Sequence, residues 1–505
     1  MSRDLSFDTL SATRPWSLRL AFFLLGALVM FSFAPFDVYP LAPLLLIPLL
    51  FGFIQSTPRQ AFQLGFAFGS GLFLTGTYWL YVSVHVFGQA PLILAILLML
   101  GLVAIMALYY GAAGWLIARL AKRSLWQLVV IAPAIWVLLE WLRGWFLTGF
   151  PWMTIGYSQI DSALGGFAPL LGIYGVSLMV MISACGLLAG VRASGIQRLP
   201  FAIVAAAPWI VGFLVGGISW TEISGPAVRT TIVQGGVSQD RKWLPEQFRS
   251  TLDLYRGSIL ESSESDLIVW PEVAIPSVLD QVEEYVSQLE RDIAERGQTL
   301  VFGILERDFV EEKVFNSVVS IGAEGRQVYR KRHLVPFGEY FPVPDFVREW
   351  MRLMNLPYSD IASGEDVQPL LRMPDGNALS VAICYEDAYA AEQLYALPEA
   401  SILVNVSNDA WFGDSIAPHQ HLQIARMRAL ETGRNVVRAT NNGISAFIGP
   451  DGALLARGKQ FEYVALTHDV QPRAGLTPFA RSGNWPVISL TFLILLWAGW
   501  RGRAN

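Results

Sequence analysis

Between residues 17 and 219 the chain passes through seven apolar stretches, at 17–35, 38–55, 61–84, 91–118, 126–147, 164–190 and 200–219, and an eighth lies at 484–500. About 20 apolar residues cross ~30 Å of hydrocarbon as a helix. Lipid offers no partner to an open backbone N–H or C=O, so a chain with this pattern is restricted to a polytopic helical bundle in that half. The shortest run, 38–55, follows the turn APFDVYP and fits a tilted or partly buried helix. Charged residues make up 15% of the chain, against about 25% in soluble domains. The deficit is local: 20–219 holds few charges, whereas 228–471 has the charge density of a soluble domain. The net charge of −5 therefore averages two different objects. No basic tract points to nucleic acid. The expected organisation is a membrane domain over 1–219, an extracytoplasmic domain over 220–483, and a last transmembrane helix with a short tail over 484–505.

The connecting charges give the orientation. Arg3, Arg14 and Arg19 precede the first run, and Arg59 follows the second. Arg119, Lys122 and Arg123 follow the fourth, Arg192 and Arg198 the sixth, Arg501 and Arg503 the eighth, while alternate loops hold almost no Lys or Arg. The positive-inside rule places both termini in the cytoplasm and 220–483 on the far side. The first run has a basic flank but no small-x-small cleavage site, and reads as an uncleaved anchor. Glu140 and Arg143, in LLEWLRGWF, share a helix face at i,i+3. Two readings stand: a functional intramembrane charge or a structural ion pair at the membrane edge. The loop after them, TGFPWMTIGYSQID, suits either an interfacial belt or a wall facing the soluble domain.

The soluble half alternates strand and helix patterns. Strands are expected at 228–234, 266–272, 299–306, 316–322, 379–386, 400–409, 435–442 and 445–450, and helices at 244–260, 281–297 and 419–435. Many of the strands are apolar on both faces, as sheets covered on both sides require.

Three short segments carry candidate chemistry. Cys384, in VAICYED, is the only cysteine outside the apolar runs; Cys185 lies within the sixth. Cysteine is often simply a small core residue. An unpaired thiol in an oxidising compartment is nevertheless a candidate reactive group. Glu272, in DLIVWPE, follows a proline that cannot continue a central ladder, so its carboxylate projects from a strand end, either as surface charge or as a base. Lys331 lies in YRKRHLVPFGEYFP, where Pro336 and Gly338 force a turn bearing Glu339. A basic run is usually a solvated face, but a lysine held by carboxylates can donate to an oxyanion. Thiol, carboxylate and amine thus make a possible nucleophile, base and oxyanion stabiliser. The histidines (His85, His333, His419, His421 and His468) keep a Cys–His arrangement open. A metal site is weakly supported, since His419 and His421 at i,i+2 do not share a helix face.

WPE at 270–272, YRKRHLVPFGE at 329–339 and ICYED at 383–387 resemble the Glu-Lys-Cys signature of the nitrilase (carbon-nitrogen hydrolase) superfamily. Over essentially its full length the chain resembles the apolipoprotein N-acyltransferase family within it, through WLRGWFLTGFPWMTIGYSQID (141–161) and the stretch 407–450. The resemblance implies a four-layer α-β-β-α sandwich for the soluble half, beside the roughly eight transmembrane helices that the apolar runs predict. It implies that Glu272 is general base, Lys331 oxyanion donor and Cys384 nucleophile, with Glu339, Trp243, Asn316, Tyr385 and Glu386 in support and no metal or cofactor. It further implies transfer of an acyl chain from the sn-1 position of a phospholipid, with phosphatidylethanolamine the expected donor, through a thioester to the α-amine of a diacylated apolipoprotein. The location implied is the bacterial inner membrane with a periplasmic catalytic domain, and a monomer is the default. The alternatives are a membrane-anchored amidase and a non-catalytic transporter or scaffold. Both substrates carry acyl chains, and each CH₂ costs about 0.8 kcal/mol to expose. A lipid-touching arm is therefore expected at 340–360, with Phe346, Trp350, Met351 and Met354 on one helix face; an ordinary packed helix is the other reading.

Overall fold

The computed structural model describes residues 15–121, 124–340 and 361–504. The segment expected to form an arm lies, apart from Tyr340, outside these residues. The chain folds into two compact units. One comprises Met1–Ile218, Asp414–Gln423 and Pro478–Asn505; the other comprises Ser219–Gly413 and Ile424–Thr477. The sequence reading puts all of 220–483 in one domain, whereas 414–423 and 478–483 belong to the helical unit.

In the helical unit each apolar run forms a helix: α1 (Pro15–Val29), α2 (Leu41–Gln55), α3 (Pro58–Gly76), α4 (Leu92–Leu120), α5 (Leu125–Arg143), α6 (Ala168–Arg192), α7 (Arg198–Gly216) and the C-terminal Trp485–Ala504. Among the described residues, five helical segments are long and apolar enough to cross a membrane; Leu41–Gln55 and Trp485–Trp500 are shorter apolar helices. Helix α3 starts at a capping box, in which Thr57 accepts from Gln60 N and the Gln60 side chain accepts from Thr57 N, with Pro58 at the first helical position. It stops at Gly76, short of the expected end at 84, and after a break at 77–78 the chain forms one short helical segment over 79–87, an α-turn that widens into a π-helix from Val82. Helices α1 and α3 meet through small residues: a Cβ on Gly26 would strike the Phe68 backbone, and one on Gly71 the Phe23 backbone. Such close approach is how helices associate without a hydrophobic driving force.

Glu140 and Arg143 are buried, and they fasten the loop that follows α5. Arg143 Nη1 donates to the carbonyls of Phe150 and Trp152, both at 2.6 Å, and Nη2 to Thr154 Oγ1 at 3.1 Å. Glu140 Oε1 accepts from Ile155 N at 2.9 Å. The aromatic loop is therefore an interior element of this unit, with Trp152, Met153, Ile155 and Tyr157 all buried. The segment 414–423 packs here too: Gln420 Oε1 accepts from Trp152 Nε1 (2.8 Å) and Trp79 Nε1 (3.2 Å), and Gln423 Nε2 donates to Asp37 (3.1 Å).

The second unit holds two large sheets and, apart from them, a short antiparallel pairing of Glu222–Ile223 with Arg473–Ala474. Its strands are β1 (Val228–Gln234), β2 (Leu267–Val269), β3 (Thr299–Asp308), β4 (Lys313–Ile321), β5 (Gln327–Arg330), β6 (Leu371–Arg372), β7 (Ala378–Ile383), β8 (Ile402–Ser407), β9 (Val436–Thr440), β10 (Ala446–Ile448), β11 (Leu454–Arg457) and β12 (Val464–Val470). The first sheet has the order β12-β1-β2-β3-β4-β5, with the short strand Ile361–Ala362 paired parallel to β4, and the second has the order β11-β10-β9-β8-β7-β6. The centre of each is parallel, β1-β2-β3 and β7-β8-β9, and antiparallel strands flank it. Strand residues alternate between faces, as a period of two requires. Leu267 and Val269 of β2 join Leu379, Val381 and Ile383 of β7 in the core between the sheets. Ile268 and Trp270 face the other way, against Tyr255 and Ile259 of α8 (Pro245–Glu261) and Leu289 and Ile293 of α9 (Glu283–Arg296). The remaining helix, α10 (Ala417–Thr432), belongs to this unit from Ile424 onward and brings Ala425 and Arg428 against the outer face of β7, β8 and β9. These layers form an α-β-β-α sandwich. Strands β5, β6, β11 and β12 have no counterpart in the sequence reading, nor do the two-residue strands Glu222–Ile223, Ile361–Ala362 and Arg473–Ala474.

Candidate active site

Parallel strands leave their C-terminal ends along one edge of a sheet, and the three candidate groups follow such ends or the neighbouring β5. Trp270 is fully buried and packs at a tilt against the rings of Tyr255 (5.0 Å) and Phe302 (5.9 Å). Pro271 then ends pairing and Glu272 emerges, itself buried. Burial of an indole on this scale contributes about 4–6 kcal/mol, so the point at which the carboxylate leaves the sheet is firmly fixed. Lys331 follows β5 directly, its backbone N donating to Asn316 O at 2.8 Å. Cys384 follows β7 at φ +51°. A positive φ is uncommon outside glycine, and here it makes the sharp strand-to-helix turn that lifts the half-buried thiol out of the core.

The carboxylates converge on the lysine. Lys331 Nζ lies 2.9 Å from Glu339 and 3.5 Å from Glu272 Oε1. Asn316 Nδ2 donates to both acids, at 2.8 Å to Glu272 and 2.9 Å to Glu339. The turn over Pro336–Tyr340 delivers Glu339, whose second oxygen accepts from Val335 N at 2.8 Å. Burial works against the Lys331 charge, but the fields of Glu339, Glu272 and Cys384 more than offset it, so its pKa is raised and the ammonium is permanent. The Cys384 thiol is pushed well above its ordinary range, by burial first and by the Glu272 charge second, against the pull of Lys331. A thiol so placed rests protonated and needs a base to become a nucleophile.

Glu386 joins the two loops that carry Lys331 and Cys384. Its carboxylate accepts from Ile383 N (2.6 Å), Arg332 N (2.6 Å), His333 N (3.2 Å) and the Tyr329 hydroxyl (3.0 and 3.1 Å). Burial nonetheless raises its pKa, these bonds offsetting only part of the cost. Tyr385 packs edge-on to Tyr389 (5.2 Å) and His333 (5.9 Å). Behind the thiol, buried Arg438 spans Asp387 (3.2 Å) and Asp409 (2.9 Å), and Asp409 accepts from Ser407 Oγ at 2.9 Å. On the Glu272 side Lys242 is buried and donates from Nζ to the Glu272 carbonyl at 3.1 Å. The exposed Trp243 follows it, and the two line an open groove of about 380 Å³ with Phe248 and Pro276.

Comparison with known proteins gives this constellation a setting. A family described as "Apolipoprotein N-acyltransferase N-terminal domain" matches residues 25–186, and "Carbon-nitrogen hydrolase" matches residues 229–478. The apolipoprotein N-acyltransferase of Nitrosomonas europaea is 41% identical over 481 residues, 94% of this chain and 96% of that protein. The chain belongs to the apolipoprotein N-acyltransferase family. The Pseudomonas putida relative of the same name is 40% identical over 97% of this chain and 98% of its own. Among solved structures, an amidase of the nitrilase superfamily from Nesterenkonia AN1 (17% identity, TM-score 0.40) aligns with 52% of this chain and 97% of its own. A branch 10 member of that superfamily from Saccharomyces cerevisiae (18% identity, TM-score 0.38) aligns with 50% and 93%. Family membership makes the protein an acyltransferase of lipoprotein maturation, and its apolar helices make it a membrane protein.

The structure gathers Glu272, Lys331, Glu339, Asn316 and Cys384 through the contacts and fields described above, with Glu386 and Tyr385 against them and Trp243 at the groove. His333, one rival base, stacks on Tyr389 at 3.6 Å and bonds Glu392 at 2.8 Å. Sequence reasoning missed Lys242, which looks solvated in DRKW, and it missed Tyr329, Ser407, Asp409 and Arg438. The one available signal for the last three is a set of polar residues inside apolar strands (NVSND, VVRAT).

Proposed function

We propose that this acyltransferase works by a ping-pong reaction on Cys384, with a phospholipid as donor and the N-terminal amine of a diacylated apolipoprotein as acceptor. The observation that carries the reading is a half-buried thiol, protonated at rest, whose field includes both a carboxylate and a permanent ammonium. Glu272 takes the thiol proton. The thiolate attacks the sn-1 ester carbonyl, phosphatidylethanolamine being the expected donor, and the oxyanion is stabilised by Lys331 and a backbone N–H after Cys384. The carbonyl–oxygen bond breaks, the glycerol oxygen leaves with the proton from Glu272, and a thioester remains. The neutral α-amine of the S-diacylglyceryl-cysteine then attacks the thioester and gives a proton to Glu272. The carbon–sulfur bond breaks, and the thiolate recovers that proton.

In the resting site the formal charges of Lys331 and Lys242 balance those of Glu272 and Glu339. Moving a proton from Cys384 to Glu272 shifts the negative charge without changing the sum, so neither step buries an uncompensated charge. Glu339, Asn316 and Glu386 hold the reacting groups in place, and Tyr385 and Trp243 flank the path of the substrates. The helical unit, with 414–423 and 478–483 included, carries the membrane anchor; both termini are cytoplasmic, and the monomeric enzyme exposes the two-sheet unit to the periplasm of a bacterial inner membrane. No cofactor takes part. Incubation with labelled phospholipid and a diacylated lipopeptide tests the reading: labelled amide supports transfer, whereas free fatty acid as the main product would support an amidase instead.

A further inference from the structure

We propose that Lys242 is a positioning residue for the base: its side-chain amine holds the Glu272 carbonyl in a strained turn and thereby sets the direction in which the Glu272 carboxylate projects. The inference rests on the reading of Glu272 as general base. Three observations carry it. First, Lys242 is 3% exposed, and its amine donates to a backbone carbonyl, Glu272 O, at 3.1 Å. Fully buried lysines are rare without a paired charge, so a lysine committed to a carbonyl calls for a reason. Second, the peptide it holds is strained. Val273, the residue after Glu272, sits at φ +46°, a region that β-branched side chains avoid and that persists only where surrounding structure imposes it.

Third, the same backbone is confined from the opposite strand. A Cβ on Gly303 would lie 2.7 Å from both Glu272 Cα and Pro271 O, so β3 presses against the turn, and Gly303 N donates to Pro271 O at 3.2 Å. Lysine on one side and glycine on the other leave the Glu272–Val273 peptide one orientation. The charged group whose field reaches the lysine is Glu272 itself; burial nevertheless lowers the Lys242 pKa to about 8. Lysine is kept here at a cost to stability, the pattern expected when local rules yield to function.

The test uses the full-length enzyme in phospholipid vesicles and single-turnover acylation by labelled phosphatidylethanolamine. Lys242→Met should lower the acylation rate by about 10²-fold, as a misplaced catalytic group does, with KM for the donor little changed and the thermal midpoint at or above wild type. Val273→Gly removes the strain the lysine opposes, because glycine adopts positive φ freely. Placed in the Lys242→Met background, it should recover about tenfold of the lost rate, which a merely structural lysine would not allow. A wild-type acylation rate in Lys242→Met, a loss confined to KM, or no rescue together with a lowered midpoint would each overturn the proposal. Should the Met variant fail to fold, Lys242→Gln retains a neutral donor; an intermediate loss supports the proposal and a wild-type rate overturns it. Glu272→Gln, run in parallel, separates the two readings. If it acylates at the wild-type rate, the base assignment falls; if it is inactive while Lys242→Met is unimpaired, only the role of the lysine falls.

Discussion

Replacing Glu339 by Gln isolates one of the two carboxylates that hold Lys331. The lysine is 1% exposed, with Glu339 at 2.9 Å and Glu272 at 3.5 Å. At an effective dielectric of ~20 these separations correspond to gross attractions of about 6 and about 5 kcal/mol, large and nearly equal. Loss of one partner from a buried pair costs about 3–5 kcal/mol of stability when the charge is left bare. Gln keeps an acceptor and Glu272 remains, so about 2 kcal/mol is expected here. The effect on rate has a different origin. With Glu339 neutral, the ammonium draws on Glu272 alone, and a carboxylate engaged in a full ion pair is a poorer acceptor for the Cys384 proton. A rise of about 3–4 kcal/mol in the acylation barrier gives a loss of about 10²–10³-fold. The assay is single-turnover acylation with labelled phospholipid, with donor KM and thermal midpoint measured on the same preparation. An acylation rate within about threefold of wild type, in a variant whose midpoint has fallen, would refute the reasoning. It would mean that Glu339 stabilises the lysine without sparing the base.

Other perturbations bear on separate parts of the account. Lys331→Met removes the ammonium from between two buried acids and, with it, the proposed oxyanion donor. It should cost about 3–5 kcal/mol of stability and about 10²–10³-fold in acylation, read by denaturation and single-turnover kinetics. For Lys242, a fall from the ordinary 10.5 to about 8 corresponds to about 3 kcal/mol. Between these values the unfolded chain binds the extra proton, so the folded state gains stability as pH rises. The midpoint of wild type relative to Lys242→Met should therefore increase from pH 7 to pH 10, and a flat difference would contradict the shift. Arg143→Leu removes three donors from the buried loop at 150–154; at about 1–3 kcal/mol for each group left unsatisfied, the variant should show a clear loss of thermal stability in detergent.

Which parts of this architecture are legible in the sequence follows from how each is stabilised. The membrane helices are visible because they are apolar all round, and no tertiary context changes that signal. Their ends are less so: the apolar run predicts that α3 reaches 84, but it stops at Gly76, and a separate short helical segment follows over 79–87. Strands β2 and β7 are legible because both faces are buried, and the site residues beyond them because Pro271 and the turn at Cys384 end the runs abruptly. Strand β12, VALTHDV, pairs only with β1 at the sheet edge and alternates between half-buried and exposed, so its Thr, His and Asp read as loop. Lys242 and Arg438 escape for a related reason. Their burial depends on partners 30 and 51 residues away, and no local pattern separates a buried charge from a solvated one. The segment 414–423 is likewise polar in sequence. Its place in the helical unit rests on Gln420 and Gln423, whose partners lie more than 260 residues earlier.

The central claim is that Cys384 carries the acyl chain between donor and acceptor. Intact-mass analysis of the full-length enzyme, mixed with labelled phospholipid in the absence of acceptor, tests it directly. The account predicts a mass increase of one acyl group less one proton, mapped to Cys384 by peptide fragmentation. The adduct should be discharged to labelled amide on addition of a diacylated lipopeptide and should be absent from Cys384→Ala. Full acyl transfer with no adduct on this thiol, or by the Cys384→Ala protein, would contradict it.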